Sequence, residues 1–138
     1  MLNATIRVGV GAVIFQEDRV LLVLRKNEPA GGWWAIPGGK VRSGERLEEA
    51  LRREIREETG LEISPREVVY VFDLIEKEAG GGVRRHYVII DYDAVVSGGR
   101  LRAGDDALKA RWFTARELDR WPVHQRTRQL LREKYGFG

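Results

Sequence analysis

Between Leu47 and Ile55 the apolar residues Leu47, Ala50, Leu51 and Ile55 recur at three- and four-residue intervals, the spacing of one helix face. Elsewhere the period falls to two or gives way to short apolar runs. Thr5 to Phe15 alternates and then becomes continuously apolar, and Arg19 to Leu24 is a second strand-like run, with Glu17-Asp18 between them as a hairpin turn. Val68 to Ile75, His86 to Val96 and Lys109 to Phe113 read as further strands. The glycine and proline content of Asn27 to Gly32, of Glu76 to Arg85 and of Ser97 to Ala107 marks loops. Thr114 and Glu117 form a Thr-x-x-Glu capping box for a short helix over Ala115 to Leu118. A last helix, from about Val123 to Tyr135, turns Leu130 and Leu131 inwards.

The helix around Leu51 carries more charge than a core-facing helix needs. From Glu45 onwards its residues are strong helix formers, Gly60 supplies a stop and Ser43 is the expected N-cap. Glu48–Arg52 and Glu49–Arg53 fit ordinary i,i+4 pairs on a solvated face. The remaining glutamates do not. With Glu54 placed at zero on a helical wheel, Leu47, Leu51 and Ile55 fall at roughly 20°, 60° and 100°. Glu58 falls at roughly 40° and Glu57 at roughly −60°. Glu54 and Glu58 therefore share the inward face, one turn beyond the last apolar anchors.

Three carboxylates converging on a half-buried patch repel one another and lose hydration, so they require protonation or cations. Hard oxygen ligands at this density favour Mg²⁺, with Mn²⁺ the alternative, and magnesium shares its shell with substrate phosphates. Arg53, four residues before Glu57, is placed to hold that carboxylate. Just upstream, Pro37 introduces Gly38, Gly39 and Gly44, a loop whose backbone can approach a ligand closely. Its carbonyls would serve metal and its amides phosphate. Loop and helix together make a metal-dependent phosphate site.

The run Gly39-x₅-Glu45-x₇-Arg53-Glu54-Ile55-x-Glu57-Glu58-x-Gly60-Leu61 resembles a complete Nudix box, with every defining position filled. The flanking layout resembles single-domain members of that family over nearly the whole chain, 1–138. The resemblance implies a Nudix-type α/β/α sandwich with a mixed β-sheet, the box helix on one face and the C-terminal helix on the other. It implies hydrolysis of a phosphoanhydride, with Mg²⁺ held by Glu54, Glu57, Glu58 and the Gly38 carbonyl. The proton acceptor would be Glu57 or an acid from the Asp105–Asp106 loop, of which Asp106 is preferred. Arg53 would hold the glutamates, while Glu45 orients the loop–helix junction. Arg25 stands where a basic residue of the family contacts substrate phosphate, and Gly39 would approach the same phosphates. Trp34, in Trp-Ala-Ile-Pro-Gly-Gly, takes the packing role, leaving Trp33 free to stack on a base. Family members are often dimers, so a homodimer is allowed.

Composition narrows the setting. The chain has 138 residues, enough to bury a core, and no cysteine, which excludes disulfides and thiolate metal sites. Its net charge of +3 is weak support for an anionic substrate and makes no case for nucleic-acid binding. Met1 to Ile14 lacks the pattern of a signal peptide and no apolar window reaches membrane-spanning length, so a cytoplasmic protein without membrane association is expected.

The partner is then a small nucleotide. The strand His86-Tyr-Val-Ile-Ile-Asp-Tyr92 and the later Arg111-Trp112-Phe113 look like the ADP-ribose pyrophosphatase branch. The proline marking many such enzymes would fall near Ile75, yet none occurs between Pro65 and Pro122. A nucleoside triphosphate pyrophosphatase, including one acting on oxidised dGTP, is the second reading. A non-catalytic nucleotide sensor is the third, although no box glutamate is missing.

Overall fold

The computed structural model describes residues 3–104 and 107–138, apart from the side chain of Leu108. Asp105 and Asp106 lie outside the described residues. Among the described residues seven strands are formed: β1 (Ile6–Gln16), β2 (Arg19–Arg25), β3 (Trp34–Ala35), β4 (Gly38–Lys40), β5 (Leu61–Lys77), β6 (Val83–Gly99) and β7 (Ala107–Phe113). Helix α1 spans Leu47–Thr59 and α2 spans Gln125–Tyr135, with a 3₁₀ turn at Arg116–Asp119. The sheet is mixed. Its path runs β3-β2-β1-β6-β5, with β4 added to β1 and β7 to β2. The central pair, β1 and β6, is parallel from Ile6↔His86 to Ile14↔Ala94, while the other pairings are antiparallel.

The alternation along β1 decides what each face packs against. Val10, Ala12 and Ile14 join Tyr92 and Ala94 of β6 against Ala50, Leu51 and Ile55 of α1. Val13 points the other way, joining Val20, Leu22 and Phe113 against Leu130 and Leu131 of α2. The α/β/α sandwich expected from the sequence is therefore formed, with one helix on each sheet face. Leu51 and Ile55 are fully buried, and truncating either to Ala would cost about 2–5 kcal/mol.

Local differences have local causes. Helix α1 starts later than a Ser43 cap would allow. Residues 42–45 close a turn, with the Glu45 N–H bonded to the Arg42 carbonyl and the Arg42 N–H to Glu45 Oε1. Gly44 takes φ 87° there. Arg46 is the N-cap, and its N–H donates to Glu49 Oε1 at 2.8 Å. That bond replaces the expected Glu49–Arg53 pair, and Glu48–Arg52 forms no ion pair either. Leu47, as first helical residue, lies beyond the buried stripe and is exposed. Gly60 ends the helix in the left-handed conformation at φ 76°, as expected. After β7 the expected helix is a single 3₁₀ turn, with the Glu117 carboxylate accepting from the Thr114 N–H and hydroxyl. His124 caps α2, its Nδ1 accepting from the Arg126 N–H. Among the described residues no helix is long and apolar enough to cross a membrane.

Candidate active site

Strand β4 delivers the box glycines to α1. It pairs with β1 at Gly11↔Gly38 and Val10↔Gly39, next to the point where β1 passes from β4 to β2. Both glycines are required by packing. A Cβ on Gly38 would lie 2.1 Å from the Val10 carbonyl oxygen, and one on Gly39 2.2 Å from the Glu54 carboxyl. The space a side chain would fill is taken by strand backbone at Gly38 and by the Glu54 side chain at Gly39.

The wheel's assignment of the glutamates is realised. Glu54 and Glu58 are 9% and 2% exposed, while the Glu57 side chain reaches the rim at 37%. Glu58 Oε1 accepts the Gly38 N–H at 2.8 Å. Arg53 ties the cluster together. Its Nε and one terminal nitrogen grip Glu45 at 2.6 and 2.9 Å, and that nitrogen also donates to the Lys40 carbonyl at 2.9 Å. The other terminal nitrogen donates to Glu54 at 2.7 Å and to Glu57 at 3.3 Å. One planar guanidinium thus joins the loop, the strand and two candidate metal ligands, a task a lysine's single ammonium could not match. The same bond holds the Glu45 carboxyl down at about 2 and pushes the Arg53 pKa up.

The C-terminal end of α1 is held by the segment after β6. Arg102 N–H donates to the Thr59 carbonyl and Gly104 N–H to the Glu58 carbonyl. A Cβ on Gly104 would come within 1.5 Å of the Glu57 carbonyl oxygen. This contact escaped the sequence reading, whose only signal was a glycine in a polar loop.

Cations border these acids. A groove of about 500 Å³ runs over Gly38, Gly39, Glu54 and Glu58 and is edged by Arg7, Arg25, Lys40 and Arg42. Arg25 is steadied by its Nε bond to the Pro29 carbonyl at 2.7 Å. Among the described residues no three acidic or histidine side chains already converge as a ready cation cage. One terminal nitrogen of Arg53 bridges Glu54 and Glu57. The donor set still fits a divalent cation: two buried carboxylates, a third at the rim and glycine backbone are all hard oxygen donors.

A second cavity, about 410 Å³, shares Arg25, Glu28, Gly38, Gly39 and Lys40 with the groove as lining residues. It lies on the α2 side of the sheet, over Gly9 and Gly11 of β1, Tyr87, Ile89 and Asp91 of β6, and Phe72 of β5. Trp33 lines neither cavity. Its indole is 46% exposed and packs edge-on against His124, so the aromatic walls are Phe72, Tyr70 and Tyr87 instead. Trp34 is buried against Phe113 and Trp121, as the packing role requires. His86 pairs with Asp73 on the strands, away from the glutamates.

With this geometry in place, comparison with known proteins is specific. The NUDIX domain model matches residues 5–134. The ADP-ribose pyrophosphatase of Methanocaldococcus jannaschii is 40% identical over 111 residues, 80% of this chain, and the chain spans 63% of that relative's length. The nucleoside triphosphatase NudI of Escherichia coli O139:H28 is 30% identical over 129 residues, covering 88% of this chain and 92% of NudI. The crystal structure of a MutT NUDIX hydrolase from Burkholderia pseudomallei superposes with a TM-score of 0.80 at 35% identity, covering 96% of this chain and 99% of that one.

Proposed function

Because the chain belongs to the NUDIX domain family, we propose that it hydrolyses a pyrophosphate bond in a nucleoside diphosphate linked to a second group, with ADP-ribose the leading substrate. The observation that carries this reading is the junction of the two cavities. A cation-edged groove over the glutamates meets an aromatic-walled cavity through shared residues, which suits a molecule with a pyrophosphate at one point and a base beside it.

Glu54, Glu58, Glu57 and the Gly38 carbonyl would hold Mg²⁺, which when bound neutralises pyrophosphate charge and lowers the pKa of water. Arg25, Lys40 and Arg7 would take the phosphate oxygens. Arg53 donates to Glu57, whose partly exposed carboxylate would accept the proton of the attacking water. Gly39 lets Glu54 approach the strand. Asp106 is the other candidate base. The reaction is a direct displacement and calls for no covalent enzyme intermediate.

ADP-ribose leads because the relative bearing that activity is the more similar in sequence. A nucleoside triphosphate pyrophosphatase is the second reading, supported by a NudI alignment that spans nearly all of both chains. Product analysis with Mg²⁺ separates them. AMP and ribose 5-phosphate from ADP-ribose establish the first, and pyrophosphate from a triphosphate the second. Silence across ADP-ribose, other nucleotide sugars, diadenosine polyphosphates, dNTPs and 8-oxo-dGTP rejects both in favour of a binding domain.

A further inference from the structure

The floor of the aromatic cavity holds a charged group that the reaction does not use. On β1, Gly9 and Gly11 face α2 with no side chain, opposite Ile89 and Asp91 of the parallel strand β6. The missing side chains create the space. A Cβ on Gly11 would lie 2.4 Å from Asp91 Oδ1, and one on Gly9 2.8 Å from the Ile89 side chain. Asp91 is only 4% exposed, in the central stretch of β6 between Ile90 and Tyr92.

A buried carboxyl normally collects hydrogen-bond donors. Asp91 receives none from the described residues, and burial alone pushes its pKa up to about 7. No polar side-chain atom among the described residues is both sealed and partnerless, so the Asp91 oxygens keep their opening onto the cavity. The acidic neighbour on the same face, Asp93, is engaged by the Tyr135 hydroxyl at 2.8 Å. Arg126 and Lys134 of α2 line the cavity without forming an ion pair to Asp91. The acceptor is therefore reserved for something that enters.

We propose that Asp91 determines base specificity by accepting a hydrogen bond from an exocyclic amino group of the substrate's nucleobase. This rests on the reading of the chain as a nucleotide pyrophosphohydrolase. The planar, apolar part of such a substrate is the base. The aromatic cavity is where it fits, since Arg25, Glu28, Gly38, Gly39 and Lys40 line both this cavity and the phosphate groove. An amino group satisfies the carboxyl in either protonation state, because an acceptor oxygen is present in both.

The test is equilibrium binding of nucleoside monophosphates, which needs no turnover. AMP is compared with purine riboside 5′-monophosphate, and GMP with IMP; each pair differs by one amino group. The wild type is expected to prefer the amino-bearing member of at least one pair by about fivefold or more. Asp91→Leu should bring that ratio to about one. Asp91→Ala removes the same acceptor without added volume and reads the result if the leucine variant fails to fold. No preference in the wild type, no binding of any of the four, or a preference that survives either substitution overturns the assignment. A hydrolytic panel that is silent while the amino preference holds would overturn the catalytic reading instead.

Discussion

The backbone N–H of Gly38 donates to Glu58 Oε1 at 2.8 Å, so the loop that would meet phosphate and the helix that would hold metal are joined by one buried bond. Neither half of the box can shift alone. A strand of three residues, too short to pack by itself, becomes a fixed wall because a carboxylate from α1 anchors it and Arg53 holds the next carbonyl, that of Lys40.

Glu57 is more exposed than Glu54 and Glu58, so its replacement separates chemistry from folding. Glu57→Gln is expected to lower kcat by about 100-fold or more while leaving the melting temperature within a degree or two of wild type. A variant that keeps wild-type kcat with Mg²⁺ would remove Glu57 from the reaction.

Arg53→Lys retains the charge and loses the fork. The lysine can serve only part of the set formed by Glu45, Glu54, Glu57 and the Lys40 carbonyl. Activity at saturating substrate should fall about 10–100-fold, with a higher Mg²⁺ concentration needed for half-maximal rate. Titrating Mg²⁺ against rate checks this; an unchanged midpoint would reduce Arg53 to an ordinary structural pair.

The glycines predict a graded response. At Gly39 an added Cβ meets the Glu54 side chain, which can swing away, so Gly39→Ala should lose activity more than stability. At Gly104 it meets the Glu57 carbonyl oxygen, which cannot move without unwinding α1. Gly104→Ala should cost about 1–3 kcal/mol or more in urea denaturation. Equal melting of both variants would contradict the distinction.

Two carboxyls give opposite pH dependences. Asp91 has its pKa raised from 3.8 to about 7 by burial, so its contribution to stability is fully present below about pH 4 and lost as pH rises through about 7. Asp91→Leu should therefore be more stable than wild type at pH 8 and gain little at pH 4. Glu45 has its pKa lowered from 4.5 to about 2, chiefly by the Arg53 bond. Its contribution is present above about pH 4.5 and lost as pH falls towards 2, so Glu45→Gln should flatten the acid limb. Thermal melts between pH 2 and 8 measure both slopes.

Much of this was legible in the residues themselves. The strand over Thr5 to Phe15 was read from its apolar pattern, and the wheel turned Glu54 and Glu58 inwards, because both readings depend only on neighbours a few residues apart. Ser43 was misread as a cap because a turn closed by Glu45 intervenes, and the packing of Trp33 against His124, remote in sequence, has no local signal. Strands β3 and β4 carry no periodicity in two or three residues and exist only through their partners.

The sequence by itself determined the box, the helix face and the alternating strands, since each is a local period matched to a local geometry. The tertiary structure alone decided that Gly9 and Gly11 lie beside Ile89 and Asp91, that Arg53 reaches four partners and that Gly104 touches Glu57. Those juxtapositions arise from pairing between distant strands and from where a loop returns. No local period records them: a glycine with nothing beside it and a glycine making room for a carboxylate are spelled alike.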